Sequence, residues 1–284
     1  MGTRDRRDLP GPGEGHAVAG PAAPIRGSTP LVPTTLNQRA MVKTKTLLSM
    51  MAAITLAASC SIKEDRSPCP CWLSIDLSRC SQNSVTVAAW AENEIFSERV
   101  AVQDYMDPDS YEKTVPKGYV NTSVVTGERE MRRSGARLII PMGHDADSIY
   151  AHAGAIECFG EFAKDTAVLH KQFARVFVNV EIPKDHDYPY TFKACSDVCG
   201  MDMRDLSPVE GDFQIDLKLD QENICMFCLP RQKEDGGNLR LLVYEEGEVI
   251  ETIPLAEWIA RMGYNWLKKD LEDIYIGVDY AKAE

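Results

Sequence analysis

The sequence predicts an all-β protein, two tandem β-sandwich domains with one short helix in the second. Three observations predict it. From residue 72 onward, runs of five to nine residues carry partial apolar alternation, the period of a half-buried strand. Turn residues separate these runs at short intervals, which is the spacing of a sandwich and not of alternating strands and helices. A helical period is well marked over one segment near the C-terminus.

The first domain is placed at residues 60–183. Its strands are expected over Trp72 to Leu77, Ser84 to Trp90, Tyr119 to Val125, Arg137 to Pro141, Ser148 to Ile156 and Phe173 to Glu181. The clearest alternation is Arg175-Val176-Phe177-Val178-Asn179-Val180, which Pro183 ends. A polar, proline-bounded linker from Pro183 to Pro189 leads to the second domain, residues 189–284. There the strands are Tyr190 to Ala194, Phe213 to Leu219, Ile224 to Leu229, Leu239 to Tyr244, Glu248 to Thr252 and Ile274 to Asp279. Asp235-Gly236-Gly237-Asn238 is a strong turn signal. The helix starts with Pro254 at its first position, shares Leu255, Trp258, Ile259 and Met262 on one face, and ends at Gly263.

The N-terminal region reads as an export signal. From Met41 a basic stretch, an apolar stretch and small residues lead to Cys60, so residues 41–59 are expected to be a signal peptide. The apolar run from Leu47 to Ala58 has 12 residues, short of the roughly 20 that span a bilayer. The small residues before Cys60 resemble a bacterial lipobox, although Ala57 stands where leucine is usual and Leu56 is one place back. Cys60 is therefore the expected lipidation site, and acyl chains there would hold the protein on a membrane at about 0.8 kcal/mol per buried methylene. Residues 1–40, rich in Gly, Pro, Ala and Arg, are expected to be a mis-assigned start or a disordered extension.

Charge and cysteine usage narrow the function. Seven basic and three acidic residues precede Cys60, so of the chain's net charge of -12 the portion from Cys60 onward carries -16. Nucleic acid is excluded as an expected partner. Eight further cysteines, Cys69, Cys71, Cys80, Cys158, Cys195, Cys199, Cys225 and Cys228, are even in number, and export favours oxidation, so at least one disulfide is expected among them. Cys195, Cys199, Cys225 and Cys228 have a loose zinc-ribbon spacing, but Cys225 and Cys228 sit in a strand-like apolar run, and no metal is expected. The histidines are scattered; His144 and His152 could meet across strands near Asp145 and Asp147, and a polar loop explains them equally well. No nucleophile elbow, phosphate loop or dinucleotide fingerprint occurs, so neither an enzyme nor a cofactor is expected. Trp72, Trp90, Trp258 and Trp266 leave room for a carbohydrate-binding surface.

Several segments together resemble a known family. They are Cys60-Ser-Ile-Lys-Glu-Asp-Arg-Ser-Pro-Cys69-Pro, Thr114-Val115-Pro116-Lys117-Gly118, Ile139-Ile140-Pro141-Met142-Gly143 with Asp147-Ser148-Ile149-Tyr150, and Ile274-Tyr275-Ile276-Gly277-Val278-Asp279-Tyr280. Their ordered set is similar to the FimB-type fimbrial anchor lipoproteins of Bacteroidetes. The resemblance implies two transthyretin-like sandwiches, a place in the outer membrane facing outward, and a fimbrial shaft subunit as partner. Lys63, Glu64 and Asp65 resemble that phylum's surface-export tag, or form a plain solvated tether.

In the shaft subunits of that family an N-terminal strand is cut away so that a neighbour's strand can be added, whereas an anchor is expected to keep its own. Trp72 to Leu77 is the candidate retained strand, with Arg66 and Arg79 as flanking candidate cleavage points. Tyr275 to Asp279 is the candidate for donation to the shaft. The residues after Asp279 leave little spare chain, so internal use of this strand is favoured. The alternative function is a glycan-binding outer-membrane lipoprotein.

Overall fold

The computed structural model describes residues 69–106, 110–181 and 190–279. The expectations for residues 1–40, the signal peptide, Cys60, and Lys63, Glu64 and Asp65 lie outside these residues, as do Arg66 and the linker from Pro183 to Pro189.

The chain is built of strands, as expected. In order they are β1 (Cys71–Asp76), β2 (Ser84–Trp90), β3 (Glu94–Ala101), β4 (Tyr111–Val115), β5 (Tyr119–Thr126), β6 (Arg132–Ser134), β7 (Arg137–Ile139), β8 (Tyr150–Glu157), β9 (Phe162–Thr166), β10 (His170–Lys171), β11 (Phe173–Glu181), β12 (Thr191–Asp202), β13 (Pro208–Leu217), β14 (Ile224–Pro230), β15 (Arg240–Glu245), β16 (Glu248–Ile253) and β17 (Ile274–Asp279). The one α-helix among the described residues, α1 (Leu255–Arg261), lies between β16 and β17.

The first sandwich faces a three-stranded sheet, ordered β4-β1-β9, against a five-stranded one, β10-β8-β5-β2-β3. Alternation explains why. On β1, Cys71, Leu73 and Ile75 are fully buried, and on β2, Val85, Val87 and Ala89 meet them in one apolar cluster. Each such aliphatic side chain contributes about 1.5–3 kcal/mol when fully buried. The other face of the five-stranded sheet is apolar too: Ala88, Trp90, Val125 and Ala151 belong to the core of the second sandwich. That explains the near-continuous apolar run of β2, which is covered on both sides.

The second sandwich faces β14-β11-β17 against a sheet ordered β16-β15-β12-β7-β6, with β13 paired to β12 as well. The long strand β12 carries β15 at its start and β7 at its end. Gly200 permits the latter pairing, because a Cβ there would lie 2.0 Å from the Leu138 carbonyl oxygen.

The sheets do not part at residue 183, where the sequence places the domain boundary. Strand β11 pairs with β14 and β17, and the β6–β7 hairpin pairs with β12, so both belong to the second sandwich. Pro183 follows the end of a strand, not the end of a domain. The helix also differs in detail. Pro254 caps α1 instead of opening it, and Met262 is exposed at its end, while Leu255, Ala256 and Ile259 are buried. Gly263, at φ +73°, stops the helix, and its N–H donates to the Ala260 carbonyl.

Candidate functional site

The expected retained strand is built into the first sandwich. β1 is central in its sheet, antiparallel to β4 from Cys71↔Val115 to Ile75↔Tyr111 and parallel to β9 from Trp72↔Phe162 to Asp76↔Thr166. Removing it would open both partners and strip the core of Leu73 and Ile75. Arg79, the candidate cleavage point after it, is exposed.

The C-terminal strand is used internally as well. Ile274, Ile276 and Val278 enter the second core, while Tyr275 faces out and stacks on Phe177. The topology gives an independent argument. In the first sandwich β1 has an antiparallel partner, β4, on one side and a parallel one, β9, on the other; in the second, β11 has β14 and β17 in the same relation. β17 thus occupies in its sheet the position that β9 occupies in the first, and it completes its own sandwich.

The edges differ in their readiness to pair again. β3 and β16 carry register shifts beside Trp90 and at Val243/Tyr244, irregularities that blunt an edge. Along β17 the register is unbroken, and its far side has no strand partner among the described residues.

All eight candidate cysteines are free thiols in the structure; Cys69 is exposed, Cys228 half-buried and the others buried. Cys195 and Cys199 lie four residues apart on β12, about 13 Å along a strand, and Cys225 and Cys228 lie three apart on β14, about 10 Å. Neither pair meets the limit of about 7 Å between Cα atoms for a disulfide. Cys80 and Cys225 instead approach the carbonyls of Ala167 and Val178. Cys71 and Cys158 are in contact. Burial first, and then the neighbouring Cys71 thiol, push Cys158 up to about 11. The β4–β5 corner brings them together, since Cys71 pairs with Val115 and Cys158 exchanges backbone hydrogen bonds with Gly118 three residues later. Among the described residues no three His, Cys, Asp or Glu side chains converge as metal ligands.

The histidines take other partners than the sequence suggests. His152 Nε2 lies 3.2 Å from both carboxylate oxygens of Asp165, and Thr122 donates to the same carboxylate at 2.5 Å. Burial pushes Asp165 up, but these hydrogen bonds outweigh it and hold the carboxyl below its ordinary range. His144 is exposed, and Asp147 accepts the backbone N–H groups of Arg129, Glu130 and Met131, so both carboxylates serve the fold. Sequence reasoning missed Asp165 because it lies on β9, whose pattern is too polar to read as a strand.

A cleft of about 810 Å³ is lined by Arg79, His152, His170, Arg231, Lys233 and Lys269, among others. Most of its charge is already matched: His170 meets Asp270 at 3.0 Å, and Lys233 meets Asp197 and Glu210 at 2.9 Å. Arg231 donates to the Gln172 side chain and to the Trp266 and Lys269 carbonyls. The arrangement knits segments together and presents no nucleophile beside a base. Of the four tryptophans, Trp90 and Trp266 are buried, Trp258 packs against the second core, and Trp72 is exposed on the outer face of β1.

No family model matches this sequence, and no curated protein matches it. Solved structures do. A proposed polysaccharide-binding protein from Bacteroides thetaiotaomicron aligns at TM-score 0.52 and 13% identity over 74% of this chain and 93% of that one. A proposed adhesin from Bacteroides ovatus aligns at 0.52 and 11% identity, over 77% and 90%. A fimbrial anchor protein from Porphyromonas gingivalis aligns at 0.52 and 14% identity, over 74% and 91%. The all-β pair of sandwiches is thus a fold this chain shares with these three proteins.

Proposed function

We propose that this chain is a surface lipoprotein that anchors a cell-surface fimbria, or forms a minor subunit of one, and that it works without catalysis. The observation that carries the reading is the shared pair of sandwiches, which a fimbrial anchor protein covers over 91% of its length. Two features support it. The lipobox-like sequence ending at Cys60 supplies a membrane tether. The first and last strands among the described residues, β1 and β17, fill their own sheets, which suits a protein that stands at the end of a polymer. The fimbrial partner then adds at a free edge, for which the unbroken edge of β17 is suited.

Affinity isolation of the tagged protein from detergent-solubilised outer membranes tests this. An anchor is recovered with a fimbrial shaft subunit. Recovery without one, together with binding of the purified protein to polysaccharide, would support the second reading, a glycan-binding lipoprotein. That reading has its own support in the likeness to the proposed polysaccharide-binding protein.

A further inference from the structure

Four aromatic side chains stand exposed at one end of the first sandwich, where nothing in its fold requires them. They are Trp72 at 49% exposure, Tyr119 at 68%, Phe159 at 56% and Phe162 at 75%. Trp72 is the second residue of β1 and Phe162 opens β9; they are register partners on the outer face of their sheet. Phe159 lies in the β8–β9 connection, and Tyr119 opens β5 directly after the β4–β5 corner. Their rings meet edge to face at 5.2 Å. Backbone bonds fix this end as one unit, because the Trp72 N–H donates to Glu161 and Cys158 pairs with Gly118. An end so rich in exposed rings is costly in water and marks a surface that something covers.

The chain itself says what. Cys69, the first described residue, lies only nine positions after Cys60, a span of about 30 Å even when fully extended. Cys69 lies two residues before Cys71 begins β1, at this end of the sandwich. Trp and Tyr favour the headgroup layer of a bilayer, where an apolar ring body and a polar tip are both satisfied, and Phe favours its acyl boundary. We infer that this aromatic end rests in the interfacial layer of the membrane that holds the Cys60 acyl chains. The first sandwich then stands on the lipid surface and presents its far parts, with the second sandwich, outward. The inference rests on the lipoprotein reading and adds to it a contact between folded protein and lipid.

The test uses the lipidated full-length product in phosphatidylethanolamine–phosphatidylglycerol vesicles containing brominated lipid, which quenches tryptophan at bilayer depth. Trp72 is the tryptophan within reach, so part of the emission is expected to be lost in wild type and not in Trp72→Tyr, with equal flotation of both. Replacing Tyr119, Phe159 and Phe162 with Ser is expected to reduce the quenching while the melting temperature stays unchanged, since these rings face outward. Flotation without any difference in quenching would overturn the inference and leave the lipid anchor standing. Protein that fails to float would overturn both. Capture of a shaft subunit in detergent by wild type but not by the triple variant would assign the patch to a protein partner and likewise overturn it.

Discussion

Tyr275 lies flat on Phe177, with ring centroids 4.8 Å apart and planes within 6°, and the two are register partners across β11 and β17. The stack staples the outer face of the last strand while Ile274, Ile276 and Val278 hold its inner face. The last strand is therefore structural. Ile276→Ala is expected to cost about 2–4 kcal/mol in urea unfolding, and removal of residues 274–284 to leave protein that aggregates. A truncated protein that melts as sharply as the full-length form would show that β17 is spare and free for donation.

The contact between Cys71 and Cys158 makes a second prediction. Export exposes the chain to protein disulfide oxidants, which accept the two electrons and two protons as the S–S bond forms. Cys158 is held at about 11, and both thiols are fully buried, so exchange has to occur before the core closes. Protein taken from the cell surface is expected to yield a Cys71–Cys158 cross-linked peptide, and its reduction to lower Tm by roughly 10 °C, since the bridge closes a long loop. Eight free thiols in such protein, with an unchanged Tm on reduction, would contradict this.

A pH prediction follows from Asp165. The His152 and Thr122 hydrogen bonds hold its carboxyl below the ordinary aspartate range in the folded state, so the unfolded chain takes up the proton first. The stability it contributes is present above that value and is lost as pH falls through the folded-state value. Asp165→Asn is expected to cost about 2 kcal/mol at pH 7, and its deficit against wild type to shrink below about pH 4. A deficit that stays constant down to acid unfolding would show that the charge of Asp165 contributes nothing.

Strands whose alternation comes from the core were legible in the sequence, and strands made by their neighbours were not. β11 and β17 stood out because Val176, Val178 and Val180, and Ile274, Ile276 and Val278, face one core. β3 was missed because it is an edge strand whose Glu94, Glu98 and Arg99 face solvent, so pairing with β2 makes it a strand. β12 was legible only as far as Ala194. Its remainder is polar and cysteine-rich, and it is extended by pairing with β13 and β7. The grouping of strands failed at β7 and β11 because proximity in the chain does not decide which sheet a strand joins. Of the site, Trp72 and the terminal strands were visible, whereas the Cys71–Cys158 contact and the aromatic end join residues more than 80 positions apart. No local period records such a contact.

In the proposed function a lipid on Cys60 holds a fimbria to the cell through this protein. Replacing the chromosomal copy with Cys60→Ala and measuring fimbrial protein in unsheared culture medium against that on sedimented cells tests it directly. The variant protein is expected to leave the membrane fraction, and fimbriae to move with it into the medium. Fimbriae that stay on the cells while the variant protein is released would contradict it.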